Sequence, residues 1–156
     1  MISILASYFI FTANASEYVW KSPPHIIMCD DTGVLEDAVK KSLLFWEESG
    51  KKHSSFSHSK SCKDDDSIPS NSIYIYNDDG RLRFLELGRS TMTFIRSDGV
   101  KVVQYSEIFI SIESFENGKV ICHELGHAFG MPHSESRESI MHPNPTSSYE
   151  SCGMMF

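Results

Sequence analysis

The sequence predicts an α+β domain in which a mixed, twisted β-sheet packs against two helices. Three observations lead there. Residues 34–49 carry apolar side chains at helical spacing, and four other segments are short, apolar and rich in β-branched or aromatic residues. A second helical pattern near the C-terminus is followed only by a loop-rich tail. At 156 residues the chain is one domain, long enough to bury a substantial core.

The first stretch, MISILASYFIFTANA, has no charged side chain, an apolar run from Ile2 to Phe11 and the small-residue pattern Ala13-Asn14-Ala15. This fits a secretory signal over residues 1–15, with the mature chain starting at or near Ser16. The apolar run is too short to span a bilayer. A buried N-terminal strand is the alternative. Residues 16–156 then form a single, exported domain.

A strand is expected at Ile26–Cys29, after the turn signal Ser22-Pro23-Pro24. Thr32 can cap a helix over 34–49, with Leu35, Val39, Leu43 and Trp46 on one face. Glu36 and Asp37 suit its positive N-terminal end, and Gly50 suits its stop. Residues 50–72 are polar and read as a long surface loop, with at most one short strand at its centre. SIYIYN (72–77) is a strand ending in the turn signal Asn77-Asp78-Asp79-Gly80. RSTMTFIR (89–96) and KVVQYSEIFISI (101–112) are two more, joined through Ser97-Asp98-Gly99. Asn117-Gly118 opens a helix that carries KVICHELGHAF and stops at Gly130.

Twenty-one acidic against 14 basic residues give a net charge of −7, which argues against nucleic-acid or anionic-membrane partners. No glycine-rich phosphate loop, heptad run or internal repeat is present. The four cysteines, Cys29, Cys62, Cys122 and Cys152, allow two bridges and three connectivities in an oxidising compartment. The favoured pairing is Cys29–Cys62, tying the first strand to the polar loop, with Cys122–Cys152 tying the second helix to the tail. A buried free thiol at Cys122 is the alternative. None of them forms a C-x-x-C pair, so a cysteine-only zinc knuckle is not expected.

The chemistry concentrates in CHELGHAFGMPH, residues 122–133. On a helix His123 and His127 are four residues apart, so both rings leave one face about a turn from each other. Gly130 can take a left-handed conformation and turn the chain so that His133 supplies a third nitrogen. Three neutral protein donors that leave a fourth tetrahedral position open mark a catalytic rather than a structural zinc site. Glu124, beside the first histidine, need not bind metal and can serve as general base. A polar helix with incidental histidines is the bland alternative, and five fixed residues at set spacings argue against it.

HELGHAFGMPH followed by SIMHP resembles the metzincin clan of zinc endopeptidases, with Met141 at the place of the Met-turn. Ser134 after the third histidine and the eight-residue step to Met141 are most similar to the matrixins. The fainter order of LLFWEES, SIYIY, LGRSTMTF and SEIFIS extends the similarity over most of Ile26 to Pro143. The resemblance implies a zincin-like catalytic domain with a short C-terminal subdomain and one catalytic zinc ion held by His123, His127 and His133. It implies Glu124 as the base, and a protein or peptide substrate bound as an extended strand along the sheet edge around Gly88 to Phe94. Met141 would floor the metal site, and His142 with Pro143 would begin a wall of the adjoining pocket. His25 and His142 are not expected as ligands. Calcium has no clear motif here; His53, His58 and Asp64-Asp65-Asp66 could hold a second metal, but a solvated polar loop is the plainer reading.

These features predict a secreted, monomeric zinc endopeptidase that needs no cysteine-switch release. A catalytically silent zinc-containing module that grips a partner peptide is the competing reading. The retained Glu124 argues against that module, which would need no base.

Overall fold

The computed structural model describes residues 18–29, 33–59, 62, 69–77, 80–83, 86–111, 118–144 and 152; the expected signal and the Thr32 cap lie outside them. Six strands form one sheet: β1 (Tyr18–Trp20), β2 (His25–Met28), β3 (Ser55–His58), β4 (Ser72–Asn77), β5 (Gly88–Ser97) and β6 (Val100–Ile110). Helix α1 (Gly33–Glu48) lies between β2 and β3 in the chain, and α2 (Gly118–Ala128) follows β6. The order across the sheet is β3-β2-β4-β6-β5, with β1 paired to Lys101–Val103 of β6. All pairings are parallel except β5 with β6. The sheet is therefore mixed and packs against two helices, which is the α+β architecture expected.

Alternation decides which face each strand residue serves. Ile26 and Met28, Ile73 and Ile75, and Ile108 and Ile110 join Val39, Leu43 and Trp46 of α1 and Ile121 and Leu125 of α2 in the main core. The residues between them, Ile27, Tyr74, Tyr76 and Phe109, form a second apolar cluster on the opposite face, with Cys29, Cys62 and Leu82 packed on it. Central parallel strands covered on both sides have no polar face, which is why SIYIY reads as a continuous apolar run.

The turns follow residue chemistry. Asp98 and Gly99 both have positive φ, 50° and 81°, so β5 and β6 join through a two-residue turn whose twist suits the hairpin. Both helices end in the same motif. Gly50, at φ 86°, donates to Glu47 O while Lys51 donates to Trp46 O. Gly130, also at φ 86°, donates to His127 O while Met131 donates to Gly126 O.

Two elements depart from the sequence expectation. Tyr18–Trp20 is a strand, fastened to α2 by the Trp20 indole donating to Ala128 O at 2.9 Å. The short strand of the polar stretch is Ser55–His58, nearer the start of that stretch than its centre, where it extends the parallel sheet from β2. Cys29 is bonded to Cys62 and Cys122 to Cys152, with Cα separations of 5.6 and 5.9 Å; of the three possible connectivities this is the favoured one.

Candidate metal centre and active site

Helix α2 presents His123 and His127 on one face because they are four residues apart. The left-handed Gly130 then turns the chain, and His133 comes back over the same point. One nitrogen of each of these three rings lies within 4.8 Å of the others. His127 Nε2 is 3.0 Å from His123 Nε2 and 3.1 Å from His133 Nε2.

The approach of His123 Nε2 to His127 Nε2 is not a hydrogen bond between neutral rings. His123 Nδ1 faces Ile140 O at 2.7 Å, and His127 Nδ1 faces Met131 O at 2.9 Å. A carbonyl only accepts, so each Nδ1 carries the proton and each Nε2 turns a lone pair inward. Lone pairs so converged repel one another unless a cation lies between them. Tetrahedral zinc with Zn–N of about 2.0–2.1 Å sets its nitrogens roughly 3.3 Å apart, close to the spacing seen. The donor set thus fits zinc. Burial reinforces the neutral form: it lowers the pKa of His123 and takes that of His127 down to about 4, against the pull of the carbonyl partners.

Glu124 is 7% exposed and sits beside His123. Burial pushes its carboxyl up to about 7; the Ser90 N–H donates to it and Arg89 lies near, both opposing the rise, while Glu86 adds to it. Among the described residues Oε2 is buried without a hydrogen-bond partner. Such an oxygen is costly in a finished structure and suits a group that meets a ligand. Glu124 lines an open cleft of about 320 Å³ together with Glu86, Leu87, Gly88, Val120, His123, Pro143 and Asn144.

The floor is built from the turn after the third histidine. Ile140 O holds the His123 ring, and Met141 O accepts from Ser134 N at 2.9 Å. Met141, 3% exposed, packs beneath α2, where a Cβ on Gly126 would meet its Sδ at 2.3 Å. Beside it the Trp46 indole donates to Cys122 O at 2.9 Å.

The sequence-predicted residues His123, Glu124, His127, His133 and Met141 therefore gather at one place. Pro143 lines the cleft as well. His25 is elsewhere, with its ring nitrogens on Ser55 and Ser57. His53 lies 3.1 Å from Glu47 and His58 3.2 Å from Glu36, so neither joins a metal-ligating group among the described residues. Asp64-Asp65-Asp66 lies outside the described residues. Sequence reasoning missed Gly126, Ser90 and the Ile140 and Met131 carbonyls; only Gly126, a glycine inside a helix, left a readable trace.

A buried helix bearing two histidines and a glutamate, a glycine turn to a third histidine and a methionine floor define a zinc metalloprotease-type site. In agreement, residues 36–152 match the family described as Matrixin, and the chain belongs to that family. No curated protein matches the chain significantly.

Proposed function

We propose that this protein is a zinc endopeptidase that hydrolyses peptide bonds in an extended protein or peptide substrate. One observation supports this above the others: a buried carboxylate, one oxygen of which has no partner among the described residues, lines an open cleft with His123, one of three imidazoles whose nitrogens converge. His123, His127 and His133 would hold one zinc ion. When bound, zinc supplies a Lewis acid that polarises the scissile carbonyl and makes water more acidic.

The remaining work falls to the chain. Strand β5 lies at the sheet edge beside α2, so its outer backbone groups can pair with a substrate strand. That pairing places the scissile carbonyl against the histidine cluster. Glu124 takes a proton from the attacking water as the C–O bond forms, and returns it to the amine nitrogen as the C–N bond breaks. Burial raises the carboxyl's pKa in the metal-free chain, which suits a group that must both take and return a proton.

We assign residues 1–15 to a secretory signal and residues 16–156 to the exported catalytic domain, which works as a monomer. The two disulfides accord with an oxidising compartment. No helix among the described residues is long and apolar enough to cross a membrane. The silent peptide-binding module is the competing reading. Hydrolysis of casein and of a quenched peptide, measured before and after zinc chelation, separates the two. Activity lost with the chelator and restored by zinc is expected. A zinc-loaded protein that binds peptide without cleaving it would establish the module instead.

A further inference from the structure

We propose that Glu86 and Arg89 are positioning residues that fix the carboxylate of Glu124 through the backbone of Gly88–Ser90. The inference rests on the reading of Glu124 as general base. Glu86 and Arg89 are three residues apart at the entry to β5, on either side of Leu87 and Gly88. Glu86 Oε1 accepts from Arg89 Nε at 3.1 Å, and Oε2 accepts from Arg89 Nη2, so the guanidinium meets the carboxylate as a two-pronged fork. Glu86 Oε2 also accepts from Arg83 N at 2.8 Å, and Glu86 N donates to Arg83 O at 3.0 Å. Both side chains are about one-third exposed, 29% and 31%. The carboxylate is thus tied at both ends of a short bend.

That bend carries the cleft wall. Ser111 N donates to Leu87 O at 2.9 Å, and Gly88 pairs with Ile110, so the segment is seated on β6. Gly88 approaches α2 so closely that a Cβ there would lie 2.8 Å from Val120 Cγ1 and 3.0 Å from Glu124 Cγ. One residue beyond Arg89, the Ser90 N–H donates to the Glu124 carboxylate, whose Oε2 has no partner among the described residues. A fork spanning Glu86 to Arg89 allows little freedom to the peptide units between them. Ser90 therefore stays aimed, and the carboxylate stays in one rotamer. An exposed ion pair of this kind adds little to global stability. Its effect is local: it removes the alternative positions of the base.

The test is a double-mutant cycle on the zinc-loaded full chain, with Arg89→Ala, Glu124→Gln and the pair. Arg89→Ala should lower kcat on the order of tenfold, as loss of a supporting partner commonly does, with KM and zinc stoichiometry held. In the Glu124→Gln background the same change should have less than about a twofold effect, because the aimed group is already gone. The Ser90 amide proton gives a readout independent of turnover. In the NMR spectrum it should lie downfield, and both Arg89→Ala and Glu124→Ala should move it upfield. A wild-type chain without hydrolysis would remove the enzymatic reading yet leave the amide shift to decide the positioning claim. An unmoved Ser90 amide in Arg89→Ala, loss of zinc in that variant, or kcat losses that multiply across the cycle would overturn the proposal.

Discussion

With no Cβ at Gly126, the Met141 thioether and the Trp46 ring both close on α2 one residue before His127. A methyl group there would lie 2.3 Å from Met141 Sδ and 2.5 Å from Trp46 Cζ2. The sulfur can shift, but the indole is pinned by its bond to Cys122 O. Overpacking costs about 1–3 kcal/mol, which outweighs the helix-propensity gain of up to about 1 kcal/mol. Gly126→Ala should therefore lower the melting temperature by several degrees and weaken zinc binding, measured by thermal unfolding and competition with a chelating dye. A variant as stable as the parent, with zinc affinity unchanged, would show that the packing is looser than described. At this scale the sequence was informative where groups are near in the chain. His123, Glu124 and His127 share one helix, and the left-handed Gly130 is the turn that brings back His133. It was silent about the Ile140 carbonyl and the Ser90 amide, because neither contact depends on side-chain identity.

Between elements, α2 packs most extensively against α1, and Trp46 sits at that joint. The indole is 4% exposed, stands edge-on to Phe45 at 5.3 Å and tilts against Phe129 at 6.4 Å. It touches α2 through both apolar contact and its hydrogen bond. Trp46→Ala should cost about 3–5 kcal/mol, the range for emptying a large aromatic site. Thermal unfolding should then begin roughly 10 °C lower. A change of only one or two degrees would mean that α1 is not what holds the active-site helix in place. The helices were legible because apolar spacing and terminal glycines agree. The unforeseen strand Tyr18–Trp20 and the short strand of the polar stretch, expected nearer its centre, lack that agreement. Ser55–His58 has a single large apolar residue, Phe56, and gains its place by pairing with β2. Tyr18–Trp20 is three residues long and pairs with β6 about eighty residues away in the chain, a partner that no local pattern discloses.

Over the whole molecule, the sheet, the helices α1 and α2 and the Cys122–Cys152 bridge converge on one histidine cluster beside the buried carboxylate of Glu124. The central claim is that the histidines hold the metal while Glu124 performs proton transfer, so the two duties should separate by substitution. Glu124→Gln leaves three nitrogens in place and should keep zinc at the wild-type stoichiometry while turnover falls roughly 10²–10⁴-fold. His127→Ala leaves two nitrogens and should lose both zinc and turnover. Zinc content by elemental analysis, set beside peptide hydrolysis for wild type and both variants, is the direct measurement. The account predicts two inactive proteins, one zinc-loaded and one zinc-poor. Undiminished hydrolysis by Glu124→Gln, or a His127→Ala variant that retains full zinc, would contradict it.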